Sequence, residues 1–176
     1  MVSAIDELLQ SKPGFYVQDG DAGVTVHLVA GQGNLARMRR LAVFRLGKAG
    51  IGLDLAQDAE LLVSELVGNA VRACGDGVPL VVEVAMGSDG VQVRVHDPES
   101  GELPRRRGTG VGDRQAEGGR GLLLASALAP GWEVALTPVG KQVRCLLPHR
   151  PPQSLPQTRS TPGRANANCP TRQVNR

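Results

Sequence analysis

The chain has 176 residues with 41% hydrophobic content, enough for one domain with an ordinary core, but aromatics make up only 2%, so Leu, Val and Ala must build it. The net charge of +3 is misleading, because five Arg (150, 159, 164, 172 and 176) and no acidic residue lie beyond Pro148, which leaves a body of 15 basic and 17 acidic residues. A mildly acidic body argues against nucleic-acid binding, which needs phosphate-neutralising charge.

No apolar run approaches the ~18 residues of a membrane span, and Asp6 and Glu7 interrupt any signal-like pattern at the N-terminus. Cys74, Cys145 and Cys169 form no CxxC spacing, so two packed thiols and one tail thiol are expected rather than a zinc site or a disulfide framework. These features predict a cytoplasmic protein.

In chain order, residues 1–22 read as an N-terminal arm, loose or with a short helix, and 23–147 as the ordered domain. Val24 to Val29 reads as a strand. Leu35, Met38, Leu41, Ala42 and Leu46 give a helical period to about Lys48, with Arg37, Arg39 and Arg40 on the other face. Gly50 and Gly52 break the chain, and Asp54 is the expected N-cap of a second helix that runs to about Cys74, where Gly75 and Gly77 stop it.

The period then changes from 3.6 to 2. Leu80–Ala85 and Val91–His96 alternate around the turn Gly87-Ser88-Asp89-Gly90, which is a hairpin signal. Trp132–Leu136 and Val143–Leu147 alternate around a second turn at Pro138 to Gly140, and a short helix over about Leu122–Leu128 separates the two pairs. The fold class predicted is α+β: a two-layer α/β sandwich with a mixed, mostly antiparallel sheet and helices on one face. The polar, Gly- and Arg-rich stretch of about 98–118 is expected to be a lid, because loops near that length are uncommon inside compact domains. The tail 148–176 is too poor in apolar residues to offset its ordering entropy and is expected to be disordered and basic.

The chemistry lies on three segments. On the second helix Ser64, Glu65, Gly68, Asn69 and Arg72 fall on one stripe, with Leu62, Val63, Leu66, Ala70 and Ala73 on the core side. Glu65 and Asn69 are one turn apart and can reach one small object. An Asn carbonyl oxygen suits magnesium, and a carboxylate one turn away can accept a proton or orient a water. Asp97 ends a strand before Pro98, a turn signal that also leaves a lone carboxylate able to accept a hydrogen bond from a nucleobase amino group. Gly118-Gly119-Arg120-Gly121-Leu122 opens the short helix, where free backbone N–H groups can meet an anion. Lys141, after a turn glycine, reads as a solvated hairpin residue, and Trp132 as a core residue.

Taken together, Glu65-Leu-Val-Gly-Asn69-Ala-Val-Arg72, then Val95-His-Asp97, then Gly118-Gly-Arg-Gly121-Leu122, resemble the histidine-kinase-like ATPases (the GHKL or Bergerat fold) over roughly 24–147. Within that family, Ser64 to Ala70 and the Gly140-Lys141 turn resemble the anti-sigma-factor serine/threonine kinases of the RsbW type. The resemblance implies that Mg-ATP is the ligand, with Asn69 holding magnesium and Glu65 as catalytic base. It further implies that Asp97 binds the adenine amino group and that Gly119 and Gly121, with Gly118 and Arg120 beside them, line the phosphates, with Arg72 and Leu122 also cofactor-binding. Two features depart from the family pattern: Pro98-Glu99-Ser100-Gly101 replaces the usual glycine box after Asp97, and Glu117 stands where some relatives carry an Arg.

Two function classes fit. In one, the chain is a kinase that phosphorylates an antagonist protein. In the other, it is a non-catalytic, ATP-gated module that sequesters a sigma factor or another regulatory partner. A homodimer is compatible with both, and no direct nucleic-acid or membrane partner is expected.

Overall fold

The computed structural model describes residues 4–101 and 120–149, with side chains from Glu7 to Gly101 and from Leu124 to His149. Helix α1 (Ala4–Leu9) leads into the hairpin β1 (Phe15–Gly20) and β2 (Gly23–Val29). Two long helices follow, α2 (Gln32–Lys48) and α3 (Leu53–Cys74), then the hairpin β3 (Pro79–Gly87) and β4 (Gly90–Asp97). Helix α4 (Arg120–Leu128) precedes the last hairpin, β5 (Glu133–Thr137) and β6 (Gly140–Pro148).

Among the described residues the strands form one six-stranded sheet in the order β1-β2-β3-β4-β6-β5, with every neighbouring pair antiparallel. The alternation in the sequence sets its register. Val17, Val26, Val82, Val95, Val143 and Val134 lie opposite one another in a row that crosses all six strands. A slip of one residue would carry each of these to the other face, so burial of the valine row fixes the pairing.

Helices α2 and α3 pack against each other and against this face. The sheet contributes Val24, Val26, Leu28, Leu80, Val82, Val84, Val91, Val93 and Val95, and the helices contribute Met38, Leu41, Leu46, Leu62, Val63, Leu66 and Val67, all buried. The predicted two-layer α+β architecture is therefore what forms. Trp132 is in the core as expected, its indole N–H donating to Ser126 Oγ at 2.9 Å.

The N-terminal arm differs from the sequence expectation. Residues 15–20 are a hydrogen-bonded edge strand, paired with β2 along its whole length. Only Phe15, Tyr16 and Val17 are apolar there, too few to show a period of 2, and it is the Gly20–Gly23 turn that folds them back onto the sheet. On α3 the helix starts at Leu53 after Gly52, so Asp54 lies in the first turn rather than at the cap, and Ala73 is exposed while Val67 takes the buried position.

Arg37, expected on the polar face of α2, is 7% exposed. Its guanidinium lies over the Phe15 ring, 4.4 Å from the centroid, and donates to the carbonyls of Glu7, Leu8 and Gln10. It thus satisfies the open C-terminal carbonyls of α1, which is too short to be stable alone. Burial lowers its pKa, the charge of Glu7 opposes that shift, and Arg40 adds to it.

Replacing Arg37 by Met keeps the apolar stem over Phe15 and removes the donors. Urea denaturation should show a loss of about 1–3 kcal/mol, and limited proteolysis should cut first within residues 4–12. Unchanged stability and protection would show that α1 is held by other contacts.

Candidate functional site

Two segments converge where the C-terminal end of α3 meets the end of β4. On α3 the polar stripe expected from the sequence is present: Glu65, Gly68 and Asn69 are half-buried, and Leu62, Val63, Leu66, Val67 and Ala70 occupy the buried side. Asn69 Oδ1 accepts a hydrogen bond from Arg72 Nη2, so a positive group already stands at the carbonyl oxygen. Asn69 Nδ2 is buried with no hydrogen-bond partner among the described residues. An orphaned buried donor costs about 1–3 kcal/mol, and an oxygen-rich ligand would supply what it lacks. Glu65, one turn earlier, makes no hydrogen bond or ion pair with a described residue.

Gly68 is not required by packing. Among the described residues a Cβ there would meet only the end of the Arg72 side chain, at 3.4 Å from Nη1. Its effect is to leave the helix surface bare between Glu65 and Arg72, so a ligand can lie close to the backbone. Once Arg72 releases it, the hard neutral oxygen of Asn69, with a carboxylate one turn away, is a donor set that fits magnesium carried by phosphates.

The second segment begins from the β4 alternation. Val91, Val93 and Val95 face the core, and the next inward position is Asp97, which is 3% exposed. A buried carboxylate must be paired. Its partner is Lys141, 4% exposed, with Nζ 3.0 Å from Asp97 Oδ1. Lys141 Nζ also donates to the Glu99 carbonyl at 2.9 Å, and the Glu99 N–H donates back to Asp97 Oδ1 at 3.0 Å. The Cys74 thiol, at the end of α3, lies 3.9 Å from the same oxygen. Its pKa is raised, first by burial and then by the charge of Asp97, with Lys141 opposing, so it is a neutral thiol at pH 7.

Burial of Lys141 corrects the expectation of a solvated hairpin residue. Alternation back from Leu147, Cys145 and Val143 puts position 141 on the inner face, and its register partner is Asp97. That parity signal was present in the sequence, and the adjacent turn glycine obscured it. The glycine is itself required: Gly140 has φ +137, and a Cβ on it would sit 2.0 Å from the Asp97 carbonyl oxygen. The close approach of β6 to the end of β4 therefore depends on Gly140, and it is what places Lys141 beside Asp97.

Cys74 follows Asn69 by five residues, about 7.5 Å of helix rise. Its contact with Asp97 brings the end of α3 against the end of β4, so the Asn69 stripe and Asp97 come from adjacent elements. Of the remaining predicted site residues, Arg120, Gly121 and Leu122 form the first turn of α4, which packs against α3, and only their backbone is described. Gly118, Gly119 and most of the expected lid, 102–119, lie outside the described residues, as does the tail from Arg150 onward.

An apolar cleft opens on the sheet face that no described helix covers, lined by Tyr16, His27, Val29, Val81 and His96 among others. These strand residues have the opposite parity to Asp97 and Lys141, so the cleft lies across the sheet from the polar site. His96 is held there by Thr137 Oγ1 at 2.8 Å, in a structural contact.

The α+β domain thus sets an inward Asp at a strand end next to a helix that carries Glu and Asn one turn apart. The histidine kinase-like ATPase domain matches residues 28–146, and the chain belongs to that family of ATP-binding domains. No curated protein matches the chain.

The ion pair can be separated from ligand binding by stability alone. Asp97→Ala strands the Lys141 ammonium and should cost about 3–5 kcal/mol in urea denaturation, while Asp97→Ala with Lys141→Met should recover most of that loss. A single-mutant loss below ~1 kcal/mol would mean that the pair is solvated.

Proposed function

We propose that the chain binds Mg-ATP along the α3 stripe and acts as a serine/threonine protein kinase of the anti-sigma-factor type on an antagonist protein. The observation that carries the binding reading is that, among the described residues, the buried Asn69 amide and the neighbouring Glu65 have no partner, on a helix whose end touches Asp97. The choice of protein partner rests on the resemblance of Ser64 to Ala70 to that branch.

Each residue then has a role. Asp97 accepts a hydrogen bond from the adenine amino group. Asn69 would hold the magnesium ion, which neutralises phosphate charge when bound. Arg72, an exposed cation three residues on, exchanges its bond to Asn69 for the phosphates, where a guanidinium binds oxyanions well. The N–H groups opening α4 face the same anion. Glu65 takes the proton of the attacking serine hydroxyl as its oxygen bonds to the γ-phosphorus and the bond to the β-phosphate oxygen breaks, releasing ADP. Such transfer depends mainly on positioning and charge stabilisation.

A second reading is favoured by the segment after Asp97. Pro98 and Glu99 replace the flexible glycine box, and the bond from Lys141 to the Glu99 carbonyl pins that turn. With this turn fixed, ATP would serve as a conformational ligand and the chain would sequester its partner, a sigma factor, without turnover.

Titration calorimetry with Mg-ATP tests the binding, and labelled ATP with a cognate antagonist tests the transfer. Asn69→Ala should weaken Mg-ATP binding by about tenfold or more. Glu65→Gln should leave binding within about threefold and lower transfer by about 100-fold or more. Tight binding without transfer selects the sequestering module, and no binding rejects both readings.

A further inference from the structure

We propose that Lys141 is a base-reading residue, acting with Asp97 as a paired donor and acceptor that distinguishes adenine by its N1 atom as well as its amino group. The inference rests on the nucleotide-binding reading above and goes beyond it by assigning the base contact to two residues.

Lys141 has three N–H donors, and two have described acceptors, Asp97 Oδ1 and the Glu99 carbonyl. The contacts on Asp97 from Lys141, Glu99 and Cys74 all fall on Oδ1, and Oδ2 has no partner among the described residues. One ammonium donor and one carboxylate oxygen of the pair therefore remain without a partner among the described residues. Both residues are almost fully buried, so the hydrogen bonds that orient them form in a low-dielectric environment and are strong.

Stability alone does not explain the pair. Replacing a buried ion pair by packed apolar side chains is often neutral or stabilising, and the inner row offers that solution at its next positions, Val95 opposite Val143. Three features fix the geometry: Gly140 brings the strands together, the Glu99 turn clamps Oδ1, and the Glu99 carbonyl orients Nζ. The arrangement positions two charges more tightly than mutual neutralisation requires.

Adenine presents a donor at its 6-amino group and an acceptor at the adjacent N1. With Asp97 Oδ2 against the amino group, the third Lys141 donor meets N1. Guanine in the same orientation offers an acceptor at position 6 and a donor at position 1, a mismatch at both contacts, and a site built to hydrogen-bond rejects such a mismatch strongly.

The test is calorimetric titration of the full chain with Mg-ATP, with 1-deaza-ATP (which keeps the amino group and replaces N1 by C–H) and with GTP. The wild-type chain should bind 1-deaza-ATP about tenfold or more weakly than ATP, and GTP more weakly still. In Lys141→Met, ATP should fall to the level of 1-deaza-ATP, so that the two differ by less than about twofold. The wild-type comparison needs no variant and stands even if Lys141→Met fails to fold. Equal binding of ATP and 1-deaza-ATP by the wild type overturns the inference, as does discrimination that survives in Lys141→Met or a tightening of ATP in that variant. Each of these leaves ATP binding by the chain intact. Absence of any Mg-ATP binding overturns the nucleotide reading and this inference with it.

Discussion

The Asp97–Lys141 ion pair, closed at 3.0 Å with both side chains almost fully buried, is the contact on which the polar end of the domain depends. Ions rarely sit in a core without mutual compensation, because desolvation of either one alone is expensive. Here the compensation sets positions. It joins the end of β4 to the start of β6, fixes the turn through Glu99, and holds Asp97 under the end of α3 at Cys74. Upstream of this pair the inner face is an apolar sheet packed by helices, and from it onward the same face carries chemistry.

That continuity explains how the domain places a polar site without a dedicated cavity. The valine row that registers all six strands determines which residues face α2 and α3, and the parity that buries Val95 and Val143 also turns Asp97 and Lys141 inward. Helix α3 does the equivalent with a period of 3.6: its Leu and Val residues pack on the sheet, and the opposite stripe presents Glu65, Gly68 and Asn69. Site and core come from the same two periodicities, so a change that disturbs register would disturb the site as well.

Much of this was legible in the sequence, and the exceptions have physical causes. Hairpins flanked by clean alternation, and a helix with a strong apolar stripe, give unambiguous local signals, and these elements formed as read. β1 was read as part of an arm, because three apolar residues cannot display a period and its structure comes from pairing with β2. Arg37 was read as a surface residue because a guanidinium is ordinarily solvated, and only the fold reveals three backbone carbonyls and an aromatic ring waiting for it. Lys141 was misread for a related reason: local turn chemistry suggested solvent, whereas its strand parity and a carboxylate 44 residues earlier decided its place. Asp97 stands out as a polar residue where the strand period calls for an apolar one, whereas Glu65 and Asn69 lie on the polar stripe of α3 and are set apart by their one-turn spacing.

The central claim is that nucleotide binds on the helix-covered side of the sheet end, between α3 and the ion pair, and the apolar cleft on the open face is a clear physical competitor for a ligand. The most direct discrimination is a backbone amide NMR titration of the wild-type chain with Mg-ATP. The account predicts shift changes concentrated at Glu65 to Arg72, Asp97 to Glu99, Lys141 and the first turn of α4, with Tyr16, His27 and Val81 unmoved. Changes centred on Tyr16, His27 and Val81, with Asn69 and Asp97 silent, would contradict it.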